Sequence, residues 1–307
     1  MFVASWHSGT NNTGDWLWHG GNLSSINGCV YAIPANATQV MKIDCKTLEV
    51  TMIGPVMEQR QKFYGGLCAA NGCIYGIPQQ AEGVLKIDPR DDSVVLLTDT
   101  KLPTTTLFKE EGGWMWHGGM LNKESTVVYG FPNNADHVLK VDTTTDTVTL
   151  LGGASVLESG RHRTPQDGRY KYLGGACDAY GNGYCFPCDS ERVLMINTNT
   201  DEVKCIGPVL LEGENKWQNG FCGGDGAVYA VPQRSKCVLR VVPPAPGDLS
   251  DPVVEMLDCG GDFDQYKEKF EGGELMPDGS ILCIPLRAKH ALKIVPALSK
   301  LANLPVS

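Results

Sequence analysis

One phrase recurs along this chain: an apolar strand that ends in proline, followed six residues later by an apolar pair. The prolines are Pro34, Pro78, Pro132, Pro187, Pro232 and Pro285. The pairs are Val40-Met41, Val84-Leu85, Val138-Leu139, Val193-Leu194, Val238-Leu239 and Ala291-Leu292. Upstream of each proline by 12 or 13 residues stands the second member of a small pair: Gly20-Gly21, Gly65-Gly66, Gly118-Gly119, Gly174-Gly175, Asn219-Gly220 and Gly272-Gly273. Successive pairs are 45, 53, 56, 45 and 53 residues apart, so six copies fill nearly all of the 307 residues. A repeat of this period constrains the architecture before any single motif does, because each unit buries its faces only against its neighbours.

The second unit shows the grammar. Lys62–Ala69 reads as a glycine-rich first strand, and Asn71-Gly72 is a hairpin signal. Cys73–Ile77 is a second strand, apolar throughout, as expected when both faces are covered. Val84–Asp88 and Val94–Leu97 follow as third and fourth strands, separated by a turn in which Asp side chains accept backbone N–H groups. No helical periodicity of useful length is present. The expectation is an all-β fold: a six-bladed β-propeller of four-stranded antiparallel blades, one domain over residues 1–307, with blades starting near 16, 62, 114, 170, 215 and 268. The ring is expected to close near the termini. The sixth unit offers Glu274–Met276, Ile281–Ile284 and Ala291–Val295, and its fourth strand comes from Leu301–Leu304 or, as favoured here, with a contribution from Phe2–Ser5.

Composition narrows the function classes. A net charge of −9 and the lack of a strongly basic stretch argue against a general nucleic-acid binder. No apolar run is long enough to span a membrane as a helix, and the first residues lack the flank and core of a signal peptide. Of the twelve cysteines, Cys68, Cys177 and Cys222 share one repeat position, Cys29 and Cys73 another, and Cys185 and Cys283 stand where other units carry Gly or Ala, which is how buried free thiols behave. An intracellular, reducing compartment is expected.

The segment Val40-Met-Lys-Ile-Asp-Cys-Lys-Thr-Leu-Glu-Val50 resembles the YVTN-type propeller repeat, and units two to four resemble it nearly as well. The glycine pairs are similar to those of kelch repeats. The kelch spacing to Tyr and Trp is not kept, since the aromatic here precedes the glycines (Trp18, Phe63, Trp116, Tyr172, Trp217, Phe270). The resemblance covers the whole chain. It implies ligand or protein binding, with enzymes a minority, and it carries over no catalytic residue.

Equivalent positions near the glycine pairs are the candidate site. The residues before the pairs are His19, Tyr64, His117, Leu173, Gln218 and Glu271. Two residues earlier stand Leu17, Lys62, Met115, Lys171, Lys216 and Lys269. Strand alternation places both sets on one face, opposite the aromatic between them. Four lysines converging from separate blades would concentrate anions on an acidic protein. The expected site therefore comprises Lys62, Lys171, Lys216 and Lys269 with His19, His117, Tyr64, Gln218 and Glu271, at the mouth of a central channel.

The expected function is a non-catalytic binding or scaffold propeller. It would present this mouth and its loops to a protein partner or a small anionic ligand, as one module of a larger assembly, with no catalytic residue, cofactor or metal. The alternative is a hydrolase or lactonase-like propeller enzyme with a divalent metal at the axis. Sugar-lactonase-like propellers use Glu, Asn and Asp there; this chain offers Glu271 and Asn219 but no Asp at those positions. Cys185-Phe-Pro-Cys188 has the form of a redox pair, yet nothing about a strand end lowers a thiol pKa.

Overall fold

The structure is a computed structural model that describes residues 15–103, 114–158, 170–211, 213–248, 250–260 and 267–296. These form six antiparallel sheets with neighbouring strands in chain order. The first holds β1 (Trp18–Leu23), β2 (Cys29–Pro34), β3 (Val40–Asp44) and β4 (Val50–Ile53); the second β5 (Phe63–Cys68), β6 (Ile74–Pro78), β7 (Val84–Asp88) and β8 (Ser93–Leu97). The third holds β9 (Trp116–Leu121), β10 (Val127–Pro132), β11 (Val138–Asp142) and β12 (Thr147–Leu151); the fourth β13 (Tyr172–Cys177), β14 (Asn182–Pro187), β15 (Val193–Asn197) and β16 (Glu202–Ile206). The fifth holds β17 (Trp217–Cys222), β18 (Val228–Pro232), β19 (Cys237–Val242) and β20 (Val253–Asp258). The sixth has three strands among the described residues: β21 (Phe270–Leu275), β22 (Ile281–Pro285) and β23 (Leu292–Ile294). Both segments considered for its fourth strand, Phe2–Ser5 and Leu301–Leu304, lie outside the described residues.

A short helix, α1 (Ala154–Glu158), lies in the connection after β12, where no helix was expected. Five residues span little more than one turn, too few for a 3.6-residue pattern to show. Arg161, His162, Arg163 and Arg169 of that connection lie outside the described residues, as do Asp262 and Asp264.

The chain forms two compact units: Met1–Gly130 with Leu139–Thr149, and Phe131–Val138 with Leu150–Ser307. Within each unit the core lies between successive sheets. Phe63 of β5 packs with Tyr31, Ile33 and Val40 of the sheet before and Leu85 and Ile87 of its own. Trp217 does the same between Phe186 and Met195 on one side and Leu239 and Val241 on the other. Phe270 lies among Tyr229, Val231, Ile281 and Cys283. Strands β6 and β18 are buried at every residue, which explains why a second strand reads as a continuous apolar run.

The third-to-fourth strand hairpins do two jobs. Their leading Asp or Asn caps the turn: Asp44 Oδ1 accepts the N–H groups of Lys46 and Thr47 at 2.7 and 3.0 Å, and Asn197 Oδ1 accepts that of Asn199 at 3.0 Å. Four residues later, Asp92 and Asp146 hold left-handed backbone and reach back to the preceding sheet. Tyr31 donates to Asp92 at 2.6 Å, and Lys42 pairs with its other oxygen. Tyr75 donates to Asp146 at 2.8 Å, and Lys86 completes that clasp. Burial pulls the Asp92 carboxyl upward, but its bonds from Lys42 and Tyr31 outweigh this and hold its pKa below 3.8. In the first sheet the same position is Leu48, also left-handed.

Candidate functional site

The glycine pairs make the site, and the two glycines do so for different reasons. In the first sheet Trp18 pairs with Pro34 and Gly21 with Ala32, so His19 and Gly20 together face the single residue Ile33. The same two-for-one bulge places Tyr64 and Gly65 opposite Ile77. Gly20, Gly65 and Gly118 sit at φ of 76, 72 and 69°, which glycine adopts without Cβ strain. The second glycine makes room. A Cβ on Gly220 would lie 2.3 Å from Phe186 Cε2 and 2.4 Å from the Tyr229 carbonyl, and one on Gly66 would lie 2.9 Å from Ile33 Cδ1. The apolar second-strand residue of one sheet thus rests on the next first strand.

The bulges aim the preceding side chains. His19 and Tyr64 stack with ring centroids 3.6 Å apart and planes 28° from parallel. Tyr64 meets His117 on its other face at 3.7 Å and 32°. One phenol ring is thus sandwiched between two imidazoles, each contributed by a different first strand: β1, β5 and β9. His117 is buried, while His19 and Tyr64 are half-buried. The stack offers ring edges, two titratable imidazoles and a phenol from one rigid set of strands.

The lysines lie elsewhere. Lys62, Lys171, Lys216 and Lys269 are only 1–2% exposed. Lys62 Nζ donates to the carbonyls of Ala35 at 3.1 Å, Ala37 at 2.6 Å and Gln59 at 2.7 Å. Lys216 Nζ donates to the Ser190 carbonyl at 2.7 Å, and Lys171 pairs with Asp136 at 3.5 Å. Their backbones are knotted too: Lys62 N–H donates to Ala35, and the Lys62 carbonyl accepts from Gln79, Gln80 and Ala81. Lys171, Lys216 and Lys269 repeat this arrangement with the loops flanking them. Burial lowers the Lys62 ammonium to about 8, opposed by Glu58. The lysine stands just before β5, and its ammonium is used up by backbone carbonyls. Lys62 turns into the loop of the sheet before it, while Tyr64 enters the stack.

In the second unit the equivalents are separate features. Leu173 is buried. Gln218 Nε2 lies 3.5 Å from Glu271 Oε1, and Asn219, left-handed at φ 61°, donates to the Glu271 carbonyl at 2.7 Å. Glu271 is exposed. Among the described residues no three His, Cys, Asp or Glu side chains come together as metal ligands. None of the twelve cysteines is disulfide-bonded. Cys185 and Cys188 are buried, which pushes both thiols well above 9.0.

One position upstream of the lysines stands a set not singled out in the sequence: Trp16, Gln61, Trp114, Tyr170, Asn215 and Glu268. Trp16, Gln61, Asn215 and Glu268 all have left-handed backbone. Extending the repeat alignment by one residue would have found two tryptophans there. Their rings are 6.5 Å apart and tilted at 53°.

No family model matches this sequence. A search of curated proteins likewise finds no match. Solved structures do match. Virginiamycin B lyase from Staphylococcus aureus, a catalytically inactive form crystallised with quinupristin, is 14% identical with a TM-score of 0.62, covering 94% of this chain and 83% of that one. The hydrazine synthase of Kuenenia stuttgartiensis is 15% identical with a TM-score of 0.53, over 91% and 77%. The extracellular domain of the one-component system BT4673 from B. thetaiotaomicron is 12% identical with a TM-score of 0.56, over 92% of this chain and 36% of that one. At these identities the likeness is one of fold, and the fold is that of the β-propeller proteins.

Proposed function

We propose that this chain is a non-catalytic binding propeller that holds its ligand against His19, Tyr64 and His117. The observation that carries the reading is the three-ring stack. Two imidazoles lie against one phenol, with planes 28° and 32° from its own, an arrangement that builds one contact surface from three strands. The sixfold repeat supports a further part of the reading: the six sheets are six blades of one closed ring, residues 1–307 acting as one module for a small anionic ligand or a protein partner. Within that reading the imidazoles supply the cationic and hydrogen-bonding contacts, and the buried lysines brace the loops around them.

Citrate titrated against 15N-histidine-labelled protein tests this. Saturable shifts of the His19 and His117 ring signals are expected, abolished in Tyr64→Ala. If neither citrate nor inositol hexakisphosphate moves those signals, and a His19→Ala/Tyr64→Ala/His117→Ala variant captures the same proteins from its native cell as the parent, the reading fails. A second reading is enzymatic. It is favoured by paired imidazoles on a fold shared with a lyase. Consumption of quinupristin by the parent protein and not by His19→Ala or His117→Ala would replace the first reading with the second.

A further inference from the structure

We propose that Trp16, Gln61 and Trp114 form a second binding site, and that its ligand is an extended proline-rich segment of a partner protein. Trp16 is 65% exposed, more than any other tryptophan among the described residues. The equivalent left-handed positions carry Gln61, Asn215 and Glu268. An indole held out in solvent gains when a ligand covers its face, and the strained backbone beneath it marks a position held by the structure around it.

The backbone that carries the ring is nonetheless held in place. Asn36 donates from its backbone N–H to the Trp16 carbonyl at 3.1 Å and from its side chain to the Asp15 carbonyl at 2.7 Å. The second indole arrives from two sheets further along the chain, and Gln61 lies between them in sequence order. The Gln61 amide oxygen accepts from Trp114 Nε1 at 3.0 Å and from Gln80 Nε2 at 2.8 Å. The Gln61 N–H donates to Asn36 Oδ1 at 2.8 Å, which fixes the segment from below.

What remains available decides the chemistry. Among the described residues, Trp16 Nε1 and Gln61 Nε2 make no hydrogen bond, and both are donors. The acceptor of Gln61 is already used twice. Two tilted aromatic faces with two free side-chain donors, and with the Gln61 side-chain acceptor already used, suit a ligand that is apolar and rich in carbonyls yet poor in N–H groups. A proline-rich strand is such a ligand: proline has a carbonyl and no N–H, and its left-handed extended form is ordered before binding. A neutral sugar, which presents hydroxyl donors as well as acceptors, would leave its donors unmatched here.

Trp16, Gln61 and Trp114 each stand three residues before His19, Tyr64 and His117 and share no residue with that stack, so separate variants test the two proposals. The test is a tryptophan-fluorescence titration with an end-capped polyproline peptide, run beside cellopentaose. Saturable binding of the peptide is expected. Trp16→Ala should weaken it by about tenfold or more, Trp16→Phe, which keeps an aromatic face and removes the Nε1 donor, should restore only part of that loss, and Gln61→Glu, which keeps the acceptor oxygens and removes the donor, should weaken it by about tenfold. No saturation with the peptide, equal affinity in Trp16→Ala, or tighter binding of the oligosaccharide would overturn the proposal.

Discussion

Gly65 and Gly220 belong to equivalent pairs yet answer to different physics. A Cβ on Gly65 meets nothing within 4 Å, so Gly65→Ala costs only its left-handed backbone, about 1 kcal/mol. A Cβ on Gly220 would press into the Phe186 ring and the Tyr229 carbonyl, so Gly220→Ala should cost about 3 kcal/mol, and two urea-melting curves would separate the cases. Asp92 gives a second prediction. Its pKa is lowered in the fold, so its clasp contributes stability above the ordinary aspartate range and loses it as pH falls through and below 3.8. Asp92→Asn should flatten the acid limb of a stability–pH profile while leaving the alkaline limb in place.

The residue scale also shows what could be read from sequence. His19, Tyr64 and His117 were found because repeat equivalence put them at one position of successive units. That Tyr64 is sandwiched while Lys62 is tied down could not be read, because the acceptors of Lys62 are the backbone carbonyls of Ala35, Ala37 and Gln59, which no side chain marks in the sequence. The outward reach of Asp92 was hidden for another reason: its partners, Tyr31 and Lys42, lie 61 and 50 residues upstream.

At the scale of elements, the buried lysines join loops to first strands. Lys62→Met would keep the stem and leave the Ala35, Ala37 and Gln59 carbonyls without their donor, at a cost of about 2 kcal/mol. The pH dependence has a definite sign. The Lys62 ammonium is lowered to about 8 in the fold and is 10.5 when unfolded, so between those values the unfolded chain binds the extra proton. The parent protein should therefore gain stability from pH 8 to pH 10.5 relative to Lys62→Met, and denaturant midpoints across that window would reveal it. Strand grammar was the most legible level: β7 falls at the expected residues and most other strands within a residue or two. The sixth unit was the least legible, since its third strand has three residues and its repeat phrase begins with Ala291 in place of a branched residue.

At the scale of the whole molecule, stability is shared between neighbours, as in other repeat architectures. Hydrogen exchange should be slowest in β6 and β18, buried at every position, and fast in β23, and mass spectrometry of quenched peptides would check that order. Uniform protection across all three strands would contradict it. The second strand of the last sheet should be intermediate: Ile284 is 53% exposed, whereas its counterparts Ile33, Ile77 and Phe186 are fully buried.

The aspartate clasps have a direction. In both described cases the grasping Tyr and Lys precede the carboxylate they grasp, and the first sheet, with Leu48 in that place, reaches back to nothing by this means. During synthesis a sheet that has left the ribosome can therefore be fastened by the next one to emerge, without waiting for the chain to end. Over the first three sheets, growth from the amino terminus would behave as a ratchet, the hairpins of the second and third each latching the sheet before.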